Sequence, residues 1–151
     1  MEELVDLLRR KNMTISFAES CTGGLLAACI VSVPDASKVF NQSFVTYTEE
    51  AKIKYAHVSP KTIEKFSVVS EEVALEMAKG VKIESNSNVG IGITGYAGPS
   101  GDNVGLVCFG LAINDETYSY EMWFSGSRND IRAQAVEYIV RKTIDKLKEI
   151  S

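Results

Sequence analysis

Thr14-Ile15-Ser16-Phe17 runs into Ala18-Glu19-Ser20-Cys21-Thr22-Gly23-Gly24 and then into Leu25-Leu26-Ala27-Ala28-Cys29-Ile30-Val31. The first four residues read as a short buried strand and the last seven as an apolar helix, so the chain breaks from strand to helix through small residues. Such a break gathers hydroxyls and unpaired backbone N–H groups at one point, and that point favours negative charge. It suits a phosphate, or the oxyanion of an acyl-transfer reaction. The simpler reading of the turn alone is that Ser20 or Thr22 only caps the helix.

The elements around this turn follow from period and punctuation. Residues 2–12 read as an amphipathic helix with Leu4, Leu7 and Leu8 on one face, and the helix 22–33 is stopped by Pro34-Asp35. Residues 43–47 read as a second strand. Thr48-Glu49-Glu50 then starts a helix that carries Lys52 and Lys54. Ser59-Pro60 opens a short helix, and Ser70-Glu71-Glu72 a longer one to about Glu84. Val89, Ile91 and Ile93 alternate with Gly90 and Gly92, a strand with one bare face where another backbone can come close. A glycine-rich loop, 94–103, leads into the apolar run 104–113, as expected of a strand covered on both faces. Asn114-Asp115 signals a hairpin into the alternating run 117–124. A last helix carries Ile131, Ala135, Ile139, Ile144 and Leu147. Helices before and between strands, plus one hairpin, predict a layered α/β/α domain with a mixed sheet of about four to five strands. Residues 1–151 read as one such domain.

Composition bounds the function. Hydrophobic content of 45% and charged content of 24% are ordinary for a globular chain, and a net charge of −4 argues against nucleic-acid binding as its main business. Arg9, Arg10 and Lys11 form only the polar end of the first helix. Met1-Glu2-Glu3 starts no signal peptide, and no run is apolar enough to span a membrane. Cys21, Cys29 and Cys108 cannot all pair internally and lie in apolar or small-residue contexts, with Cys29 and Cys108 read as core. They fit a reducing, cytoplasmic compartment and do not have zinc-site spacing.

Several residues could carry chemistry. Ser20 would need a base. His57, the only histidine, lies in a polar segment at a helix end with no obvious acid partner, which argues against a Ser-His-Asp triad. A lysine can serve if burial lowers its pKa. Lys52 and Lys54 point to nearly opposite sides of their helix, so at most one faces a given pocket. Cys21 is a rival nucleophile if the helix N-terminus lowers its pKa, and otherwise a small space filler. The loop 94–105 resembles a ligand cradle but lacks the ending of a phosphate-binding P-loop. Arg128, with Arg132 one turn later, could meet a phosphate or carboxylate, or simply start a helix in water. Glu19 reads as a partner of Lys52 or as a polar strand end.

Taken in order, Ala18-Glu19-Ser20-Cys21-Thr22-Gly23-Gly24, Phe44-Val45-Thr46-Tyr47 through Glu50-Ala51-Lys52, Val69-Ser70-Glu71, Gly95-Tyr96-Ala97-Gly98-Pro99 and Arg128 resemble the CinA C-terminal domain family. Its characterised members are nicotinamide-nucleotide amidohydrolases. The resemblance implies hydrolysis of the carboxamide of nicotinamide mononucleotide to nicotinate mononucleotide and ammonia, without metal or other cofactor. It implies Ser20 as nucleophile, Lys52 as its base and Tyr47 lining the site to relay or orient the proton. Substrate contacts would come from Thr22, Gly23 and Gly24 on the turn, from Thr94, Gly95 and Gly98 at the glycine loop, and from Arg128 on the nucleotide phosphate. The helix after Ser20 would offer the oxyanion hole. The implied partners are a small nucleotide and further copies of the chain, as a homodimer or larger homo-oligomer, and neither a membrane nor DNA.

Two departures stand out. The family's glycine loop runs on through a longer segment, whereas Gly101-Asp102-Asn103 leads straight to Val104-Gly105 here. The family's Gly-Asp-Arg reads Gly126-Ser127-Arg128. Many members also carry an N-terminal pyrophosphatase-like domain, and this chain reads as the stand-alone form. A non-catalytic nucleotide-binding module and an amidase for another small carboxamide are the alternative readings.

Overall fold

Side-chain alternation along one strand sorts the molecule into two sides. In the computed structural model, which describes residues 1–150, β1 (Ile15–Glu19) lies between β2 (Phe40–Val45) and β3 (Val89–Gly95), parallel to both. β4 (Leu106–Ile113) and β5 (Glu116–Trp123) continue antiparallel, so the mixed five-stranded sheet has the order β2-β1-β3-β4-β5. Ile15, Phe17, Val89, Ile91, Ile93, Val107, Phe109, Leu111 and Ile113 point to one side. There they form the larger core with α1 (Glu2–Arg10), α2 (Leu25–Val31) and α6 (Arg128–Lys148). The alternate positions meet α3 (Glu49–Ala56), α4 (Pro60–Phe66) and α5 (Glu71–Glu84) on the other side. The chain therefore has the layered α/β/α architecture that its punctuation predicts.

The bare face of β3 has the expected use. A Cβ on Gly90 would stand 2.2 Å from the Ala78 carbonyl oxygen, and one on Gly92 or Gly110 would stand 2.2 Å from that of Ala74. Helix α5 thus lies backbone-to-backbone on the sheet, closer than any side chain would permit. Ser16 closes the same face by donating to the Val81 carbonyl at 3.2 Å.

Helix starts largely follow their capping residues. Thr48 Oγ1 accepts from Ala51 N, Ser59 Oγ from Lys61 N and Ser70 Oγ from Val73 N. The exception is α2, which spans Leu25–Val31 and not 22–33. Gly23 and Gly24 take the left-handed φ values 57° and 96°, which no α-helix accommodates, so the turn extends three residues further than its hydroxyls suggest. Cys29 is half-buried at the edge of the core, not inside it, because α2 is a short surface helix.

The glycine contact gives a test. Gly92→Val must push α5 off the sheet and should cost about 3 kcal/mol or more, since the obstacle is backbone and cannot change rotamer. Thermal unfolding followed by circular dichroism should show a melting temperature lower by roughly 6 °C or more. A change under about 2 °C would mean the helix is not seated on these glycines.

Candidate active site

Alternation also decides which side chain faces where at the end of β1. Ser20 continues the ladder, its N–H donating to the Ile93 carbonyl at 3.0 Å. Glu19 therefore points towards α2, while Ser20 points towards α3. Lys52, four residues into α3, reaches Ser20 from there: its Nζ lies 2.9 Å from Ser20 Oγ and donates to the Thr46 carbonyl at 2.8 Å. Lys52 is only 2% exposed. Burial pulls its pKa down to about 8, against smaller opposing effects of Cys21 and Glu49. Lys54, two positions on, is exposed and lies over the Tyr55 ring. One of the two lysines thus faces the cleft, as the helical spacing requires.

The turn after Ser20 is held from both sides. Glu19, fully buried, accepts from Thr22 Oγ1 at 2.7 Å, from Leu26 N at 2.9 Å and from Ala27 N at 3.0 Å. It is the cap of α2 and has no contact with Lys52. Leu25 N and Ala28 N donate to the Thr22 and Gly24 carbonyls. The first-turn N–H groups of α2 are thus consumed, and the helix has none left for an oxyanion. From the opposite side, Arg132 on α6 donates to the Cys21 and Thr22 carbonyls. Thr22 is buried against Glu19, and Gly23 and Gly24 shape the turn. None of the three lines the cleft.

That cleft, about 470 Å³, opens at the carboxyl ends of β1 and β3, where the chain has left β1 for β2 on one side and returned to β3 on the other. Parallel sheets bind ligands at such a switch point. Ser20, Lys52, Tyr47, Thr94, Gly95, Gly98 and Arg128 all line it, so seven of the ten expected site residues converge. Thr94 is buried and donates to the Val68 carbonyl at 3.0 Å. Arg128, at the first position of α6, folds back across the mouth, donating to the Gly98 carbonyl and to Tyr47 Oη at 2.9 Å. Tyr47 contributes its carbonyl as well, 3.5 Å from Lys52 Nζ. Ser127 caps α6, exchanging hydrogen bonds with Asp130, so serine at this position fills the role an aspartate would.

Other candidates fall away. Burial pushes the Cys21 thiol up to about 11, so it is no thiolate at neutral pH. His57 closes α3 on the surface, pairs with Glu84 at 2.7 Å and lies outside the cleft. Its acid partner is 27 residues away in sequence, which is why the local sequence offered none. Among the described residues no group of three or more His, Cys, Asp or Glu side chains is placed to hold a metal ion. No local pattern marks Arg132, the acidic cleft wall of Glu49 and Glu50, or the partner of Glu19. Glu19 caps N–H groups seven and eight residues ahead, beyond the reach of any local capping pattern.

The buried lysine makes stability depend on pH. The folded chain releases this proton near pH 8, and the unfolded chain keeps it to about 10.5. Between those values the unfolded state binds more protons, so stability rises with pH. The contribution is fully present above 10.5 and lost as pH falls through 8. In urea unfolding, the stability advantage of Lys52→Met over the parent chain should be larger at pH 7 than at pH 10. An advantage that stays constant with pH would show that Lys52 keeps an ordinary pKa in the folded protein.

Comparison with known proteins places the chain. The model of the CinA C-terminal domain family matches residues 1–147. A competence-damage inducible protein named from Alkaliphilus oremlandii is 47% identical over 98% of this chain, and a CinA-like protein from Kosmotoga olearia is 45% identical over 91% of it. The chain spans about a third of the length of these relatives, 36% and 34%. A solved CinA superfamily protein from Klebsiella pneumoniae superposes with a TM-score of 0.95 at 30% identity, covering 98% of this chain and 95% of that one. One from Escherichia coli gives 0.88 at 36% identity, covering 94% and 87%. With a family match running almost end to end and relatives close to half identical, the chain belongs to the CinA C-terminal domain family.

Proposed function

We propose that this chain is an amidohydrolase that converts the carboxamide of nicotinamide mononucleotide to a carboxylate and ammonia. The observation that carries this reading is a buried amine, with its pKa lowered to about 8, set 2.9 Å from a serine hydroxyl in an open cleft. A lysine in water is protonated at neutral pH and accepts nothing. This one is neutral often enough to take the Ser20 proton. Its remaining N–H groups face the Thr46 and Tyr47 carbonyls, which leaves the lone pair for Ser20. A module that only binds a ligand gains nothing from burying an amine against a serine.

The steps follow from those positions. Ser20 Oγ attacks the amide carbon as its proton moves to Lys52 Nζ, and the carbonyl π pair becomes an oxyanion. Collapse breaks the C–N bond, and the proton held on Lys52 goes to the leaving nitrogen, releasing ammonia. Water then attacks the ester carbon as Lys52 takes its proton, the acyl C–Oγ bond breaks, and that proton passes to Ser20 Oγ as the acid is freed. Arg128 at the mouth offers a planar donor pair for a phosphate. Glu49 and Glu50 on the wall suit the positive charge of a pyridinium ring. Both charged parts of the mononucleotide therefore have a complement in the cleft.

Three outcomes are expected from ammonia release with nicotinamide mononucleotide. Ser20→Ala should lower turnover by at least about 10³-fold while leaving the fold intact, because the nucleophile is gone. In the parent chain kcat/KM should rise with pH through about 8, as Lys52 loses its proton. Arg128→Gln should raise KM roughly 10- to 100-fold with a smaller change in kcat, the usual effect of removing a hydrogen bond to a charged group. Full activity in Ser20→Ala would sink the reading.

A further inference from the structure

Arg132 lies on α6 one turn beyond Arg128, and no step above uses it. Its guanidinium spans the turn behind Ser20. Nε donates to the Cys21 carbonyl at 3.0 Å and one terminal nitrogen to the Thr22 carbonyl at 2.7 Å, while the other terminal nitrogen donates to Asn129 Oδ1 at 3.0 Å. The guanidinium also packs against the turn, since a Cβ on Gly23 would lie 3.4 Å from it. Within the turn, Gly23 N–H donates to the Ser20 carbonyl at 2.9 Å. A trans peptide points its C=O and N–H in opposite directions. Holding the Ser20 and Cys21 carbonyls therefore sets the directions of the Cys21 and Thr22 N–H groups. Among the described residues neither N–H donates to another residue, and the Cys21 N–H meets only its own thiol. Those of Leu25, Leu26, Ala27 and Ala28 are all taken. The Cys21 and Thr22 N–H groups, on the turn that carries Ser20 at the cleft, thus belong to peptides whose carbonyls Gly23 and Arg132 restrain. A guanidinium can hold two carbonyls in a fixed fork, which an ammonium cannot, and its charge polarises the peptides it touches.

We propose that Arg132 is the positioning residue of the nucleophile turn: by holding the Cys21 carbonyl it aims the Thr22 N–H, and by holding the Thr22 carbonyl it fixes the Gly23 N–H that anchors the Ser20 carbonyl and so aims the Cys21 N–H, both as donors to the oxyanion formed when Ser20 attacks. The inference rests on the serine–lysine reading for the identity of the attacking group. It adds no covalent step. The oxyanion it stabilises is the one formed when the Ser20 Oγ–C bond forms and the Oγ proton passes to Lys52. A misdirected peptide would leave ground-state binding intact and weaken only the transition state.

The test compares Arg132→Lys with the parent chain in two assays: ammonia release from nicotinamide mononucleotide, and phosphonylation of Ser20 by a small fluorophosphonate, which forms a similar oxyanion without needing the natural substrate. The expected result is a fall of about 10²-fold in kcat and in the labelling rate, the scale typical of a lost oxyanion donor or an ångström-scale misplacement. KM should stay within about twofold, and the apparent pKa of the rate profile should not move, because Lys52 is untouched. Asn129→Ala removes only the outer partner of the guanidinium. It reads the same quantities if Arg132→Lys does not fold, with a fall in both rates at unchanged KM expected. Parent-like kcat and labelling in a folded Arg132→Lys overturn the proposal, as does a loss matched by the unfolded fraction or by a rise in KM. Labelling of Ser20 in the parent chain without ammonia release would overturn the mononucleotide reading alone, and the labelling arm would still decide the role of Arg132.

Discussion

The distance between α5 and the sheet governs where the buried amine of Lys52 sits. Gly90, Gly92 and Gly110 let the helix rest on bare backbone, and Gly80 on the same helix repeats the device outwards, where a Cβ would stand 1.8 Å from the Ala56 carbonyl oxygen of α3. Sheet, α5 and α3 are thus stacked at backbone contact. Lys52 lies one turn before Ala56, so each layer sets its height above Ser20. Close-packed interiors do not absorb such shifts softly. A side chain anywhere in that stack would lift Lys52 from the serine it faces.

Burying an amine opposes stability, and the fold accepts that cost at one place. Two carbonyls from the exit of β2 receive Lys52 Nζ, and among the described residues no carboxylate forms an ion pair with it. A close carboxylate would have kept the amine charged. Glu19 is the nearest buried acid in sequence, and strand alternation turns it to the other side, where it caps α2. Arg128 carries a similar conflict. A cation at a helix N-terminus is disfavoured by the helix dipole, yet its side chain bridges the glycine loop and Tyr47 across the cleft mouth. Local rules are broken here at the positions that face the cleft, as expected where chemistry competes with stability.

One helix joins the two ends of this site. α6 presents Arg128 to the cleft and, a turn later, Arg132 to the peptides behind Ser20. Its start is fixed by the capping pair of Ser127 and Asp130, and its apolar stripe from Ile131 to Leu147 is buried in the larger core. A long, well-anchored helix thus holds both arginines in place.

Much of this was readable in the chain itself. Thr48, Ser59 and Ser70 mark helix starts because capping is a local interaction, and the Gly90 and Gly92 alternation announces a backbone approach because only glycine leaves that room. Helical spacing alone required that Lys52 and Lys54 diverge. Other features depend on partners distant in sequence. Which lysine is buried depends on Ser20, 32 residues away, and the role of Arg132 depends on carbonyls 110 and 111 residues away. The start of α2 depends on two left-handed glycines and on an acid that reaches across the turn from the strand before it. Element types, the hydroxyl caps of α3, α4 and α5 and the bare sheet face were thus legible from the chain alone, all set by neighbours within a few residues. Only the tertiary structure decided which polar groups meet, because strand alternation and helix seating act through space and leave no local pattern.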